Sequence, residues 1–132
     1  MIAPLLSSVA AFLLAISVAF QVGLAIGAPW GSVAYGGRAV AGDGTLPWRY
    51  RLGSALAALA LLGAMWVVLA AGAVIDRGPV PMRFVTAALW ALVALFALNT
   101  FANASGRHPV ERWGAGSVTA ILTVLCALLA IA

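Results

Sequence analysis

Long uncharged runs separated by short charged segments form the dominant pattern of this chain. The charged residues leave four uninterrupted runs without a charge, at positions 1–37, 52–75, 84–106 and 113–132. A helix needs about 20 apolar residues to cross a hydrocarbon core about 30 Å thick. Each run therefore predicts one crossing of a membrane.

Proline and glycine positions set the expected limits of these helices, which we place at about 4–28, 48–75, 82–104 and 109–132. Pro29 is expected to end the first helix, because proline lacks an N–H donor and its ring clashes with the preceding turn. Pro47 and Pro109 suit the first turns of the second and fourth helices. The predicted fold class is an all-α membrane protein, a four-helix transmembrane bundle forming one domain over residues 1–132.

Composition strengthens this prediction. Hydrophobic residues make up 65% of the 132 positions and charged residues only 8%, which does not suffice to cover the surface of a soluble domain. No basic residue precedes the first apolar run, so we expect a retained helix and not a cleaved signal peptide. The single cysteine, Cys126, lies within the fourth run and is expected to act as a small apolar filler.

The distribution of arginines predicts an orientation. The loops after the first and third helices share one side of the membrane and hold five arginines, Arg38, Arg49, Arg51, Arg107 and Arg112, whereas the opposite side holds Arg77 and Arg83. Arginine-rich short loops tend to face the cytoplasm. We therefore expect a multi-pass membrane protein with both termini extracytoplasmic. The alanine-rich composition with arginine and no lysine indicates a bacterial source, and so the bacterial inner membrane.

Amide side chains gather near the predicted cytoplasmic end. Gln21 and Asn99 each lie about six residues before the end of their helix, so at 1.5 Å per residue they share one depth. Asn103 follows Asn99 by one helical turn, and Ser54 lies near the same end of the second helix. Two interpretations remain open: an interhelical amide network that holds the helices together, or a site for a headgroup or small ligand.

A charged group adjoins the start of the fourth helix. His108 and Glu111 lie there with Arg107 and Arg112, and we expect these four residues, together with Arg38, Arg49 and Arg51 of the first loop, to contact lipid headgroups or loop segments. His108 is also placed to cap the helix. We expect no catalytic residue, no metal, no cofactor and no nucleic-acid partner.

The remainder of the spans is almost free of side-chain hydrogen-bonding groups. Between Ala55 and Ile75 only the indole of Trp66 carries one. A channel or pump within one chain needs polar groups at successive depths, so a transport hypothesis requires a homo-oligomer.

We expect the loop between the first two helices to comprise about residues 32–45. Its apolar start, Val33-Ala34-Tyr35, favours a position in the headgroup layer. We predict that the loop folds back over the mouth of the bundle, as a lid above Gln21, Asn99 and Asn103.

The sequence also resembles a known group. The segments that carry the resemblance are Gly27-Ala28-Pro29-Trp30-Gly31, Gly36-Gly37, Leu46-Pro47, Asn99-Thr100, Ser105 and Glu111-Arg112. They are similar to small uncharacterised bacterial four-span membrane proteins. That group has no assigned activity, so the resemblance implies a fold and no chemistry.

Three functional hypotheses follow. The favoured one is a noncatalytic interaction or accessory protein, with membrane lipids and a homo-oligomer or a larger membrane protein as partners, and with a lipid or small ligand bound at the cytoplasmic end. The alternative is a small transporter or channel that works as a homo-oligomer. A lipid-directed enzyme is the third.

Overall fold

A computed structural model describes residues 2–132 and contains four membrane-length helices. Their bounds are α1 Ile2–Ala25, α2 Trp48–Ala71, α3 Met82–Ala104 and α4 Gly116–Ile131. A π-helical turn over Val110–Ala115 precedes α4 and makes the fourth span 22 residues long. No strand occurs within residues 2–132. The predicted fold class is therefore confirmed, and the protein is a multi-pass integral membrane protein.

The C-terminal ends of α1 and α2 differ from the prediction. Gly27 adopts a left-handed φ of 97°, and the Ala28 amide donates to the Gly23 carbonyl. This Schellman motif ends α1 at Ala25, before Pro29 can act. The expected end at residue 28 was wrong because the glycine, and not the proline, breaks the helix.

A second Schellman motif shortens α2 to Ala71 in place of the expected residue 75. Here Ala73 has a left-handed φ of 54°, and the Val74 amide donates to the Leu69 carbonyl. Left-handed backbone is unusual for a residue with a Cβ. Because position 73 is alanine and not glycine, the sequence did not indicate that α2 ends here.

The helices associate as two hairpins. α1 packs chiefly against α2, and α3 against α4, while smaller contacts join α1 to α4 and α2 to α3. These neighbours form a closed ring of four helices in which α1 and α3 lie diagonally opposite one another. Any space inside the bundle is consequently bounded by both hairpins.

The half of the bundle beside the α2–α3 loop, which we call the packed half, is tightly filled. Its centre includes Ala10, Leu14, Val68 and Cys126, each 0% exposed. Ser7 is buried as well, and its hydroxyl donates to the Val68 carbonyl, which joins α1 to α2. Helix backbones approach closely in this half.

The α1–α2 loop, residues 26–47, has a small core of its own. Ala34 and Leu46 of the loop are buried there together with Leu24 of α1. The Gly31 amide donates to the Gly44 carbonyl at 2.9 Å, which closes the intervening chain into a compact unit. The Trp30 ring stacks on Phe20 with ring centroids 5.8 Å apart, so the loop is held against α1.

Candidate functional site

A cavity of about 770 Å³ lies in the half of the bundle beneath the α1–α2 loop, which we call the covered half. Each helix lines it with residues about one turn apart, the spacing that places side chains on one face. Its lining includes Gln21 of α1, Ala57 and Leu61 of α2, Phe96, Asn99 and Asn103 of α3, and Thr119 and Leu122 of α4. The volume is in the range of small-molecule sites.

The cavity walls change character along the bundle axis. Phe96 and Leu122, each 1% exposed, also belong to the buried core of the bundle, so they form an apolar floor. Ile16, on the wall, lies about nine residues before the end of α1, which is roughly 14 Å at 1.5 Å per residue. The space therefore runs from near the middle of the bundle to the polar groups under the loop.

The α1–α2 loop forms the roof, as the sequence predicted. Ala34 and Gly36 line the cavity, and the Gly36 amide donates to Glu111 Oε1 at 3.0 Å across 75 residues of chain. Gly37 packs near the Cβ of Arg107. The loop thus folds back over the mouth of the bundle and contacts the segment that begins α4.

Tyr35 ties this roof to α2. Its hydroxyl lies 3.0 Å from Ser54 Oγ and donates to the Tyr50 carbonyl at 3.3 Å, while its ring meets the Tyr50 ring edge to face. Tyr35 also has a left-handed φ of 51°. Such a conformation costs energy and persists only where surrounding contacts hold the residue in place. For Tyr35 these are the contacts with α2.

Glu111 is the most buried charged residue of the covered half, at 4% exposure. Oε1 accepts the Gly36 amide, whereas Oε2 has no hydrogen-bond partner within residues 2–132. A Cβ added at Gly106 would lie 2.5 Å from Oε2, so the carboxylate occupies space that only glycine leaves free. The sequence suggested headgroup or loop contact for Glu111, and the contact with the loop is present.

The π-helical turn carries Glu111. The Gly116 amide donates to the Glu111 carbonyl five residues earlier, which widens the first turn before α4. Glu111, Ala115, Thr119 and Leu122 all line the cavity at spacings of four, four and three. Wide turns of this kind recur at functional sites.

The predicted amide network is not formed. Gln21, Asn99 and Asn103 all line the cavity, but no hydrogen bond within residues 2–132 joins Gln21 to either asparagine. Asn103 donates to Thr119 Oγ1 at 3.4 Å, and Gln21 Oε1 is buried without a partner. The reason is topological, since α1 and α3 are diagonal and the cavity separates their side chains.

Ser54 lies apart from the other members of the predicted polar cluster. Two of the arginines predicted to contact headgroups or loop segments, Arg51 and Arg112, bind backbone carbonyls. Ser54 is fully buried behind Tyr35 and does not line the cavity. Arg51 Nε donates to the Ala25 carbonyl at 3.0 Å and so satisfies the end of α1. Arg112 donates to the Gly106 carbonyl from Nε and Nη2, which supports the turn beside Glu111.

Three further residues of the predicted charged group lie at the same end of the bundle. Arg38 lines the cavity, and its guanidinium lies against Gly36. Arg49 is exposed at the start of α2. His108 Nδ1 accepts the Val110 amide at 3.1 Å, which is the predicted capping contact.

This arrangement suits binding through an apolar body and a polar end. Apart from Ser17, whose hydroxyl donates to the Leu13 carbonyl, its hydrogen-bonding side chains lie toward the loop, and two of its acceptors lack partners. Within residues 2–132 no group of three potential metal ligands occurs.

Sequence reasoning missed Tyr35, Thr119 and the burial of Glu111. A signal for Glu111 was present, since the spacing from Glu111 through Ala115 to Thr119 continues one helical face. Tyr35 had no comparable signal, because its role depends on Ser54, 19 residues later.

Comparison with known proteins assigns no family to the chain. No family model, no curated protein and no solved structure matches it. The resemblance to bacterial four-span proteins and the bacterial inner membrane therefore stay predictions, and four membrane-length apolar helices are established.

Proposed function

We propose that this protein is a noncatalytic membrane protein that binds an amphipathic molecule, a lipid or a small ligand, in the cavity of its covered half. The observation that carries the proposal is the loop-roofed cavity of about 770 Å³ with unpartnered acceptors at its polar end. Pockets of this size with apolar walls and a few polar groups are typical ligand sites.

The asymmetry of the lining supports an amphipathic ligand. Leu61, Phe96 and Leu122 offer apolar contact, and Gln21 and Glu111 offer hydrogen-bond acceptors nearer the loop. A wholly apolar ligand leaves those acceptors unsatisfied. A wholly polar ligand loses its hydrogen bonds to water where it contacts the apolar floor, and this costs free energy. A molecule with one polar end satisfies both parts.

Access from the bilayer supports a ligand of membrane origin. Ile16 of α1 and Asn99 of α3 line the cavity and are exposed at the surface of the chain. Openings at helix flanks face the hydrocarbon region when the helices span a membrane. Under the arginine-based orientation the polar end of the ligand lies on the cytoplasmic side.

The packed half weighs against conduction through a single chain. Leu14, Val68 and Cys126 are 0% exposed across its centre, and a path needs polar groups at successive depths. The cavity does not support the hypothesis of a homo-oligomeric transporter either, because buried Phe96 forms its floor.

Action together with another membrane protein, or as a homo-oligomer, is the second element of the proposal. Apolar side chains that remain widely exposed on α3, such as Leu98 and Phe101, support it because they suit either lipid or helix contact. Copurification from native membranes tests this element. A stoichiometric larger protein, or a defined homo-oligomer, is expected, and a strict monomer without a partner contradicts it.

Filling the cavity tests the binding proposal. Ala57 of α2 lines the cavity, whereas Ala60 is exposed on the same helix. Ala57→Trp should place an indole in the ligand space and abolish crosslinking by a photoactivatable lipid, and Ala60→Trp should retain it. Crosslinking that is equal in both variants contradicts the proposal.

A further inference from the structure

Glu111 is the one carboxylate at the cavity among three acidic residues in the chain. Asp43 accepts from Thr45 within the α1–α2 loop, and Asp76 accepts from the Gly78 amide in the loop between α2 and α3, at the other end of the bundle. The carboxylate that lines the cavity therefore belongs to a side chain that is only 4% exposed.

Neighbouring cations do not satisfy this carboxylate. The Arg38 guanidinium lies against Gly36, and Arg112 donates to the Gly106 carbonyl. Oε2 of Glu111 has no hydrogen-bond partner within residues 2–132. An ionised carboxylate accepts at about four lone-pair sites, and a buried charge without compensation is costly. A partner from outside the chain would remove that cost.

The second unpartnered group is also an acceptor. Gln21 Oε1 is buried without a donor, on a helix that lines the same cavity as Glu111. Two unsatisfied acceptors, one of them a carboxylate oxygen, favour a ligand that supplies several donors and a positive charge.

We infer that the ligand is an amphiphile whose polar end is a protonated primary amine, bound by Glu111 and Gln21. The inference rests on the proposed function and names its substrate class. A primary ammonium offers three N–H donors and makes charge-assisted hydrogen bonds with a carboxylate. A quaternary ammonium carries the same charge but no donor, so it leaves both acceptors unsatisfied.

Both acceptor oxygens are covered by protein atoms. The terminal torsion of Gln21 is broad and roughly two-fold, so its oxygen turns toward the cavity at small cost. Turning the Glu111 carboxylate gives up the hydrogen bond from the Gly36 amide, and a charge-assisted hydrogen bond from the ammonium replaces it. The alkyl part of the ligand then lies along Leu61, Phe96 and Leu122. A membrane aminolipid and a free alkylamine share this chemistry.

Thermal unfolding of the purified protein in dodecyl maltoside tests the inference, because a ligand that binds only the folded state raises the midpoint. The probes are dodecylammonium and its match without donors, dodecyltrimethylammonium. Glu111→Gln removes the charge and keeps an acceptor for the Gly36 amide. We expect dodecylammonium to bind about tenfold or more tightly than the quaternary probe, and Glu111→Gln to weaken it by about tenfold or more.

A third probe, lysophosphatidylethanolamine, identifies the source of the amine. Arg38 lines the cavity and would lie near a phosphate. If the natural ligand is an aminolipid, Arg38→Gln should weaken the lysolipid while tightening dodecylammonium, whose charge Arg38 repels. If Arg38→Gln leaves the lysolipid unaffected and tightens dodecylammonium, a free alkylamine is the source.

Failure of the inference and failure of the proposed function are distinguishable. Equal binding of the primary and quaternary probes, or unchanged binding in Glu111→Gln, overturns the amine assignment while the cavity still binds an amphiphile. If no probe stabilises the unmodified protein more than the Ala57→Trp variant, binding at the cavity is itself contradicted.

Discussion

The packed half and the covered half differ in how closely the same four helices pack against one another. In the packed half, small residues such as Ala10 and Gly72 let α1 and α2 meet closely, and the centre is filled. In the covered half the hairpins separate around a cavity, and a loop closes the end through Gly36 and Glu111.

This difference identifies the half of the bundle that has room for a ligand. A filled interior has low compressibility and no room for a ligand. The covered half instead keeps two buried acceptors without partners on side chains that line the cavity, an arrangement that costs stability unless a bound molecule completes it. The packed half supplies the rigidity that keeps the hairpins together around this cavity.

The largest expected effect comes from breaking the packed half. A Cβ at Gly72 would lie 2.6 Å from Ser7 Oγ and 2.9 Å from the Ala3 carbonyl oxygen, so Gly72→Ala must push α1 and α2 apart. We expect a loss of about 1–3 kcal/mol in the free energy of unfolding, measured in mixed micelles.

Gly63→Ala is the matched control for that substitution. Nothing lies within 4 Å of a Cβ at Gly63, which is inside α2. The change should stabilise the protein by about 0.5–1 kcal/mol, because glycine weakens a helix interior relative to alanine. Equal effects of the two substitutions would show that the packed half is not close-packed.

Helix existence, number and approximate limits followed from the sequence, because uncharged runs of membrane length depend on local composition alone. The starts of α2 at Trp48 and of α3 at Met82 agree with the predicted residues. The ends at Ala25 and Ala71 do not, since they depend on left-handed residues, and Ala73 carries no local mark of that conformation.

The site was predictable only in part, for reasons of tertiary geometry. The depth of Gln21, Asn99 and Asn103 placed them at one end of the bundle, and there they line one cavity. Whether they bond to one another depends on which helices are neighbours, and a sequence of four similar apolar helices does not specify that order. The burial of Glu111 depends on a contact with Gly36, 75 residues away.

A smaller effect is expected from loosening the roof of the covered half. Tyr35→Phe removes the hydroxyl that bonds Ser54 Oγ and the Tyr50 carbonyl, and keeps the ring contact. We expect hydrogen exchange of the loop amides to rise about fivefold, in line with the loss of about 1 kcal/mol of tethering.

Tyr50→Phe serves as its control, because Tyr50 contributes its backbone carbonyl to the Tyr35 bond and the substitution retains that group. Loop exchange should stay near that of the unmodified protein. If Tyr35→Phe also leaves exchange unchanged, the tether to α2 does not hold the roof.

The smallest expected effect concerns the outer part of the α1–α2 loop. Hydrogen bonds from the Thr45 hydroxyl and amide hold the pKa of Asp43 below its usual value. A folded-state pKa below the unfolded value means that the carboxylate supports the loop above about pH 4 and loses that support as pH falls through the folded pKa.

An NMR titration of the Asp43 carboxyl measures this effect. Thr45→Val removes the hydroxyl donor and should raise the pKa of Asp43 toward its ordinary value, while the cavity beneath stays unchanged. A titration unaffected by Thr45→Val would contradict the hydrogen-bond cause.

A structure from crystals grown in a lipidic phase tests most directly whether the covered half holds an amphipathic molecule. We predict connected density of an amphipathic molecule between the Phe96 floor and the Gly36 roof, with its polar end in hydrogen-bond distance of Glu111. A bundle in which α1 and α3 close on each other, so that Gln21 meets Asn99 directly and only waters remain, would contradict it.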